Sequence, residues 1–241
     1  RVGWSAVPAQ ITRVTSDGLT RSLDRFFPPQ PALFPQPRLV AHLKEDTPEM
    51  ARGLIRAAVG EEKRQLQREA RERTQLAVQD MSLKWLQYAA QSANMAFAKW
   101  VLFLGDVYVV GVDKVKNAAL IWEHFDVLGR NALGPAPVLS KAVSRSPAMV
   151  AYLDLNQSKR AAPNENFARE LFELFLLGEG NYTENDIKEA ARAFTGYRKQ
   201  FGEFRDAPRP HDPTTKTIFG QSGRFTGDDV IDLAHGQPAA G

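Results

Sequence analysis

The chain has 241 residues, 43% of them hydrophobic, so it can bury one substantial core or two small ones. Its 31 lysines and arginines against 28 acids give a net charge of +3. Both signs are mixed in segments such as 61–73, so no basic stripe of the kind that nucleic-acid binding requires is visible. The absence of cysteine excludes disulfides, thiolate catalysis and cysteine-bound metals, and no apolar run is long enough for a transmembrane segment.

The N-terminal region begins with helical patterns and then changes to a proline-rich segment. Short helices are predicted over 8–17 and 19–27, with apolar residues such as Ile11 and Leu19 facing inward. Five prolines within 28–38 predict an extended connector, because each proline fixes its own φ and disfavours helix at the preceding residue.

A long central helix is the main prediction for the next part of the chain. Pro48 is placed to open a third helix, which should bury Leu54 and Val59. After Gly60, a helical region is predicted to about Leu104, and its early half is amphipathic.

The middle of the chain continues the helical pattern. Residues 107–112 are rich in β-branched side chains, but no partner strand is evident, so we predict a helix end followed by a loop. Helices are predicted over 117–133 and 137–153, the second divided by Pro147. These elements predict an all-α fold: an irregular multi-helix domain with a long central helix and a loop-rich C-terminal tail.

A buried helical hairpin is predicted over residues 163–197. Gly178 and Gly180 should end its first helix, and Thr183 followed by Asp186 has the pattern of an N-cap with an acidic third position. Apolar residues in the first helix occur on both sides of its charged arc, which indicates that this helix is largely buried.

Three charged residues of the first hairpin helix form a ladder. Glu165, Arg169 and Glu173 are spaced i, i+4, i+8, so one guanidinium can lie between two carboxylates. The favoured interpretation is a structural salt-bridge triad; the alternative is that the paired carboxylates line a metal or acid/base site.

The C-terminal tail is predicted to be irregular loop over 200–225. His211 and Asp212 are adjacent there, and a histidine beside a carboxylate can orient a proton carrier or hold a metal. A capped helix follows, opening with Asp228 and Asp229. The candidate polar cluster is therefore Glu165, Arg169, Glu173, His211 and Asp212, and the candidate metal ligands are His211, Asp212, Asp228 and Asp229. The sequence contains no motif for an organic cofactor.

Two long segments resemble the bacterial family known as Domain of Unknown Function 1800. They are PNENFARELFELFLLGEGNYTENDIKEAARAFTGY (163–197) and HDPTTKTIFGQSGRFTGDDVIDL (211–233), supported by RNALG (130–134) and by the segments 1–27 and 144–170. The resemblance spans almost the whole chain. It implies a mostly helical bacterial protein, slightly favours a location outside the cytoplasm, and suggests a protein partner from a sulfatase-like family encoded nearby.

The chain departs from this family at two places. Relatives typically carry a Trp-His-Asn-His-Phe-like segment where residues 104–108 read LGDVY, so both histidines are missing. Relatives also continue beyond the segment around Asp228 and Asp229, so we expect residues 1–241 to be the N-terminal part of a longer family domain.

Two functions remain open. The first is a helical binding or scaffold protein that acts as a subunit or accessory partner in a bacterial complex; the missing histidines favour it. The alternative is a metal-assisted hydrolase acting on cell-envelope or polymeric material, in which His211 and Asp212 face the carboxylates of the ladder and a bound metal activates water.

Overall fold

Helices make up most of the chain. The structure, a computed structural model, describes residues 8–45, 48–91, 93–200 and 202–240. Its helices run in chain order as α1 (Pro8–Phe26), α2 (Arg38–Glu45), α3 (Pro48–Ala57), α4 (Gly60–Ala89), α5 (Met95–Val107), α6 (Val112–Val115), α7 (Ala118–Asn131), α8 (Ala136–Ser144), α9 (Pro147–Tyr152), α10 (Asn166–Glu170), α11 (Glu184–Ala193) and α12 (Gly227–His235). A π-helical turn, Leu171–Leu176, directly extends α10, and short 3₁₀ turns occupy Leu155–Gln157 and Pro238–Ala240.

Two small β-hairpins correct the prediction of a purely helical fold. Strand β1 (Tyr197–Gln200) pairs antiparallel with β2 (Glu203–Asp206), and β3 (Lys216–Ile218) pairs antiparallel with β4 (Gln221–Gly223). Both lie in or beside the segment 200–225, which had been expected to be irregular loop. The fold is thus mostly helical with a minor β component.

The turn of the second hairpin has an unusual residue in a left-handed conformation. Phe219 and Gly220 separate β3 from β4, with φ of 49° and 74°. A two-residue hairpin turn favours positive φ, but phenylalanine is an uncommon choice for it. Contacts outside the turn hold it: the Phe219 ring lies 5.1 Å from that of Phe172, and its N–H donates to Asp186 Oδ1 at 2.7 Å.

The chain divides into two compact units. Unit 1 comprises Arg1–Asp106 and Asn117–Gly134, and unit 2 comprises Val107–Lys116 and Pro135–Gly241. The boundary is crossed three times along the sequence.

Unit 1 buries one side of α4 and most of α5 and α7. The core residues of these helices include Ala77, Met81, Phe97, Ala98 and Leu128. The long helical region predicted to about Leu104 is divided, because α4 ends at Ala89 and α5 begins at Met95. Several apolar residues predicted to face inward are instead exposed: Ile11, Leu19, Leu54 and Val59.

Unit 2 builds its core from α9, the α10–α11 hairpin and α12. Fully buried residues include Met149, Phe167, Phe172, Phe194 and Ile231. The aromatic rings pack edge to face, with 4.8 Å between the centroids of Phe167 and Phe194. This core positions the polar residues predicted as a site.

Candidate functional site

The predicted hairpin is present, and its connection follows the predicted capping. Gly178 and Gly180 have φ of 77° and 86°, the left-handed region that ends helices. Thr183 and Asp186 form a reciprocal capping box at the start of α11: Asp186 N–H donates to Thr183 Oγ1 at 3.1 Å, and Thr183 N–H donates to Asp186 Oδ2 at 2.9 Å.

The charged ladder is at the surface rather than buried, and its pairing differs from the prediction. Arg169 donates from Nη1 and Nη2 to the two carboxylate oxygens of Glu184, at 2.9 and 2.8 Å. Glu165 lies 3.5 Å from the guanidinium, and the Arg169 and Glu165 side chains are 37% and 40% exposed. Glu173 instead accepts a hydrogen bond from the Tyr182 hydroxyl at 2.9 Å.

The π-helical turn explains this difference. Hydrogen bonds in a π-helix join residues five apart, so each residue advances through a smaller angle than in an α-helix. The i, i+4, i+8 alignment therefore fails once the helix passes Glu170. Glu173 turns toward Tyr182, and Leu174, which belongs to the helix predicted to be largely buried, is 62% exposed.

The ladder residues and their neighbours shift one another's pKa values in the direction that favours their ordinary protonation states. The hydrogen bond to Glu184 raises the pKa of Arg169, and the same bond lowers the pKa of Glu184. Burial, followed by the hydrogen bond to Glu173, raises the pKa of Tyr182 to about 12. These groups stay in their ordinary protonation states near neutral pH, as expected of a structural network.

Asp212 is the most enclosed of the predicted site residues, with 5% of its surface exposed. It accepts hydrogen bonds from Arg192 Nε at 2.8 Å and from the N–H and hydroxyl of Thr214 at 3.0 and 2.6 Å. Burial alone would raise the pKa of Asp212, but the bonds from Thr214 and Arg192 outweigh it, so the pKa lies below its usual range.

Arg192 joins Asp212 to a wider network at the C-terminal end of α11. Its guanidinium also donates twice to Glu189, at 2.8 and 2.6 Å, and to the hydroxyl of Thr214. Lys216 is fully buried below the loop and donates from Nζ to the carbonyl oxygens of Asp212 and Thr214, at 2.7 and 3.0 Å. Burial lowers the pKa of Lys216. Together these contacts fix the loop 212–216.

His211 and the two aspartates of α12 have separate structural partners. His211 Nδ1 donates to the carbonyl oxygen of Thr195 at 2.8 Å, since a carbonyl can only accept. Asp228 accepts from Arg145 at 2.6 Å. Asp229 completes a second capping box with Thr226.

The five residues of the predicted polar cluster therefore belong to different networks. Arg169 pairs with both Glu184 and Glu165, while Asp212 pairs with Arg192. Over residues 8–45, 48–91, 93–200 and 202–240, no group of three or more histidines and acids is arranged to hold a metal ion.

Sequence reasoning missed a buried chain of hydrogen bonds through Ser140. Its Oγ lies 3.0 Å from the Tyr108 hydroxyl and 3.0 Å from His235 Nε2. A serine beside a histidine is the arrangement used in nucleophilic catalysis, but Ser140 is only 1% exposed and thus closed to a substrate. The three residues lie far apart in sequence, so no local pattern could have revealed them.

The other missed feature is an apolar cavity in unit 1. Its volume is about 300 Å³, and it is lined by Phe34, Met81, Ser82, Trp85, Leu86, Leu102 and Phe125. Six of these seven residues are apolar, and the hydroxyl of Ser82 already donates to the carbonyl oxygen of Val78 at 2.8 Å. Apolar cavities of this size bind ligands or partner side chains.

The fold and these networks define a mostly helical protein with an open apolar cavity, in which the predicted site residues are held by hydrogen bonds and ion pairs within the protein. The chain belongs to the family described as "Protein of unknown function (DUF1800)", which matches residues 1–241 and confirms the resemblance drawn from the sequence. Comparison with curated proteins and with solved structures found no match.

Within the described part of the chain, every helix is too short or too polar to span a bilayer.

Proposed function

We propose that the protein is a helical binding module that docks onto a protein partner through an apolar surface of unit 1. The observation that carries this proposal is the cavity between Phe34, Trp85 and Phe125, together with the exposed leucines that continue from its rim. An exposed apolar surface next to a pocket is typical of protein interaction sites.

The exposed leucines lie on the C-terminal half of α4. Leu76, Leu83 and Leu86 are 57%, 62% and 60% exposed. At about 100° per residue they fall within roughly 80° of one another around the helix, and Leu86 also lines the cavity. This leucine stripe (Leu76, Leu83 and Leu86) therefore extends the apolar lining for about 15 Å along α4.

The shape and chemistry of this surface favour an amphipathic helix as the occupant. A cavity of about 300 Å³ corresponds to about ten water volumes, more than one apolar side chain fills. Two apolar side chains one turn apart on a partner helix would enter the cavity, and their neighbours would cover the leucine stripe. The lining offers few polar groups, so a polar ligand would lose hydrogen bonds there.

The metal-assisted hydrolase receives less support. Each carboxylate proposed as a metal ligand already accepts a hydrogen bond from a protein donor. The donor is Arg192 for Asp212, Arg145 for Asp228, and Thr226 for Asp229. A metal would have to displace these donors. We therefore prefer the binding module.

Site-specific photo-crosslinking in the native host tests the proposal. A photo-reactive phenylalanine analogue is placed at Leu83 or Leu86, and the matched control carries it at Leu174, which is 62% exposed but lies in unit 2. We expect a discrete crosslinked product containing one other protein from the first two positions, and none from Leu174.

Other crosslinking outcomes would count against the proposal. A product containing only two copies of this chain would replace the partner with a homodimer. Equal crosslinking from Leu174 would indicate non-specific contact, and monomeric behaviour without crosslinks in the host would remove the binding function.

A further inference from the structure

Three segments of unit 2 bring basic residues together. Arg160 N–H donates to the carbonyl oxygen of Pro210 at 2.8 Å, which joins the loop 158–160 to the loop 209–211. Arg198 Nη1 donates to the carbonyl oxygen of Leu155 at 3.0 Å, and the Lys199 N–H donates to Asn156 Oδ1 at 2.5 Å. The 3₁₀ turn Leu155–Gln157 is thereby joined to β1.

The resulting cation surface has more positive charge than the chain as a whole. It consists of Lys159, Arg160, Arg198, Lys199, Arg205 and Arg209, accompanied by the acids Glu203 and Asp206. Six cations and two acids give this region a net charge of +4, compared with +3 for all 241 residues. The rest of the chain therefore sums to −1.

Most of these cations lack an acidic partner in the protein. In the part of the chain that the structure describes, Lys159, Arg160, Arg198 and Arg209 form no ion pair, and Arg205 pairs only with Glu203, at 2.8 Å. Other arginines are matched, as Arg192 is with Glu189 and Asp212. Four cations without an ion pair therefore lie within the three joined segments of this surface.

Arg198 is the central residue of the cation surface. It is half-buried, and its hydrogen bonds go to the carbonyl oxygens of Leu155 and Tyr197 rather than to a carboxylate. In the antiparallel register, Arg198 stands directly opposite Arg205. Like charges in such a cross-strand pair repel each other and destabilise the hairpin, and an external anion would reverse that effect. Burial without a counter-ion also lowers the pKa of Arg198.

We propose that the cation surface binds an acidic peptide segment of a protein partner, with carboxylates contacting the guanidinium groups of Arg198, Arg160 and Arg209. Guanidinium groups bind carboxylates through paired, charge-assisted hydrogen bonds. This inference is independent of the proposed docking of an apolar helix, because the cation surface lies in unit 2 and the cavity lies in unit 1.

The composition of the surface favours a peptide over other polyanions. Glu203 and Asp206 lie among the cations, so they would repel a densely charged polymer such as nucleic acid, whereas the spaced carboxylates of a peptide can avoid them. The Phe204 ring packs against Tyr197 at 5.0 Å between centroids, which leaves it poorly placed for stacking on a nucleobase.

The test measures binding of a fluorescent peptide with alternating glutamate and glycine to the full chain at low salt. We compare the triple variant Lys159→Glu, Arg160→Glu and Arg209→Glu, all exposed in the wild type, with the control triple Lys63→Glu, Arg71→Glu and Lys188→Glu. Both triples change the net charge equally. The surface triple should weaken binding about tenfold or more, and the control much less. Added salt should weaken wild-type binding because it screens exposed charges.

Three results would overturn the proposal. The first is no binding of the peptide to the wild type at low salt, and the second is equal weakening by both triples, which would show only a net-charge effect. The third is tighter binding of single-stranded DNA or of anionic phospholipid vesicles than of the peptide, which would assign the surface to another partner. Photo-crosslinking from Leu83 is unaffected by any of these results, so the two proposals can fail separately.

Discussion

Asp212 is a buried carboxylate that keeps its charge because its neighbours donate to it. Replacing it in Asp212→Asn would leave the Asn Nδ2 donor facing the Arg192 Nε donor and remove a charge-assisted bond. We expect a loss of about 2 kcal/mol in the free energy of unfolding at neutral pH. Urea denaturation measures it, and Asp24→Asn, at an exposed position of α1, serves as the control.

The contribution of Asp212 should depend on pH in a defined direction. The folded protein lowers the pKa of Asp212, so its stabilising effect is complete above the unfolded value of about 3.9 and is lost as pH falls through the folded pKa. The stability difference between wild type and Asp212→Asn should therefore narrow below about pH 4. A difference that stayed constant into strong acid would contradict the assignment.

At the scale of elements, two helices begin with the same capping box but differ in one contact. Asp186 caps α11 and also accepts the N–H of Phe219 at 2.7 Å, whereas Asp229 caps α12 alone. Asp229→Ala should cost about 1 kcal/mol of stability, as caps usually do. Asp186→Ala should cost about 1 kcal/mol more, because it also leaves the Phe219 N–H in its left-handed turn without an acceptor.

Hydrogen exchange at Phe219 separates the two roles of Asp186. The backbone amide hydrogen of Phe219 should exchange faster in Asp186→Ala but not in Asp229→Ala. Thermal unfolding measures the loss of overall stability in each variant. Equal exchange in the two variants would mean that the Asp186 contact does not hold the turn.

Local patterns predicted elements well where the forces that form them are local. Thr183 and Asp186 lie three residues apart, and Ile187, Ala190 and Phe194 all become buried as the helical period requires. The strands are three or four residues long and carry mixed polar residues, so their pairing is decided by contacts that no short window contains. The π-helical turn after Glu170 likewise has no sequence signal that we recognised.

The candidate site was harder to predict than the fold. The spacing of charges along the sequence identifies possible ion-pair partners, but it does not show which of them pair in the folded protein. Arg169 had suitable acids at i−4 and i+4, yet Glu184, fifteen residues away, supplies the best geometry. The cation surface was equally hidden: its residues come from three segments, and the mixture of charges along the sequence concealed their grouping in space.

At the scale of the whole molecule, most exposed large apolar residues lie in unit 1, whereas the cation surface lies in unit 2. The leucine stripe belongs to unit 1, whereas Leu174 is a single exposed leucine of unit 2. We expect Leu83→Lys with Leu86→Lys to raise the protein concentration at which light scattering detects self-association, because the double change divides the exposed apolar surface. Leu174→Lys, the control, should have a smaller effect. An equal effect of the control would indicate that added charge alone is responsible.

The division into two units also bears on how the chain folds as it is synthesised. Tyr108 and Val115 emerge from the ribosome early but are buried in unit 2, where Tyr108 bonds to Ser140 and the neighbouring Lys114 pairs with Asp154. At 5–20 residues per second, about two to eight seconds separate Lys114 from Asp154. During that interval the segment 107–116 lacks its contacts with the rest of unit 2, while residues 117–134 complete unit 1. Segment 107–116 is therefore a short part of the nascent chain that is accessible to chaperones until unit 2 is synthesised.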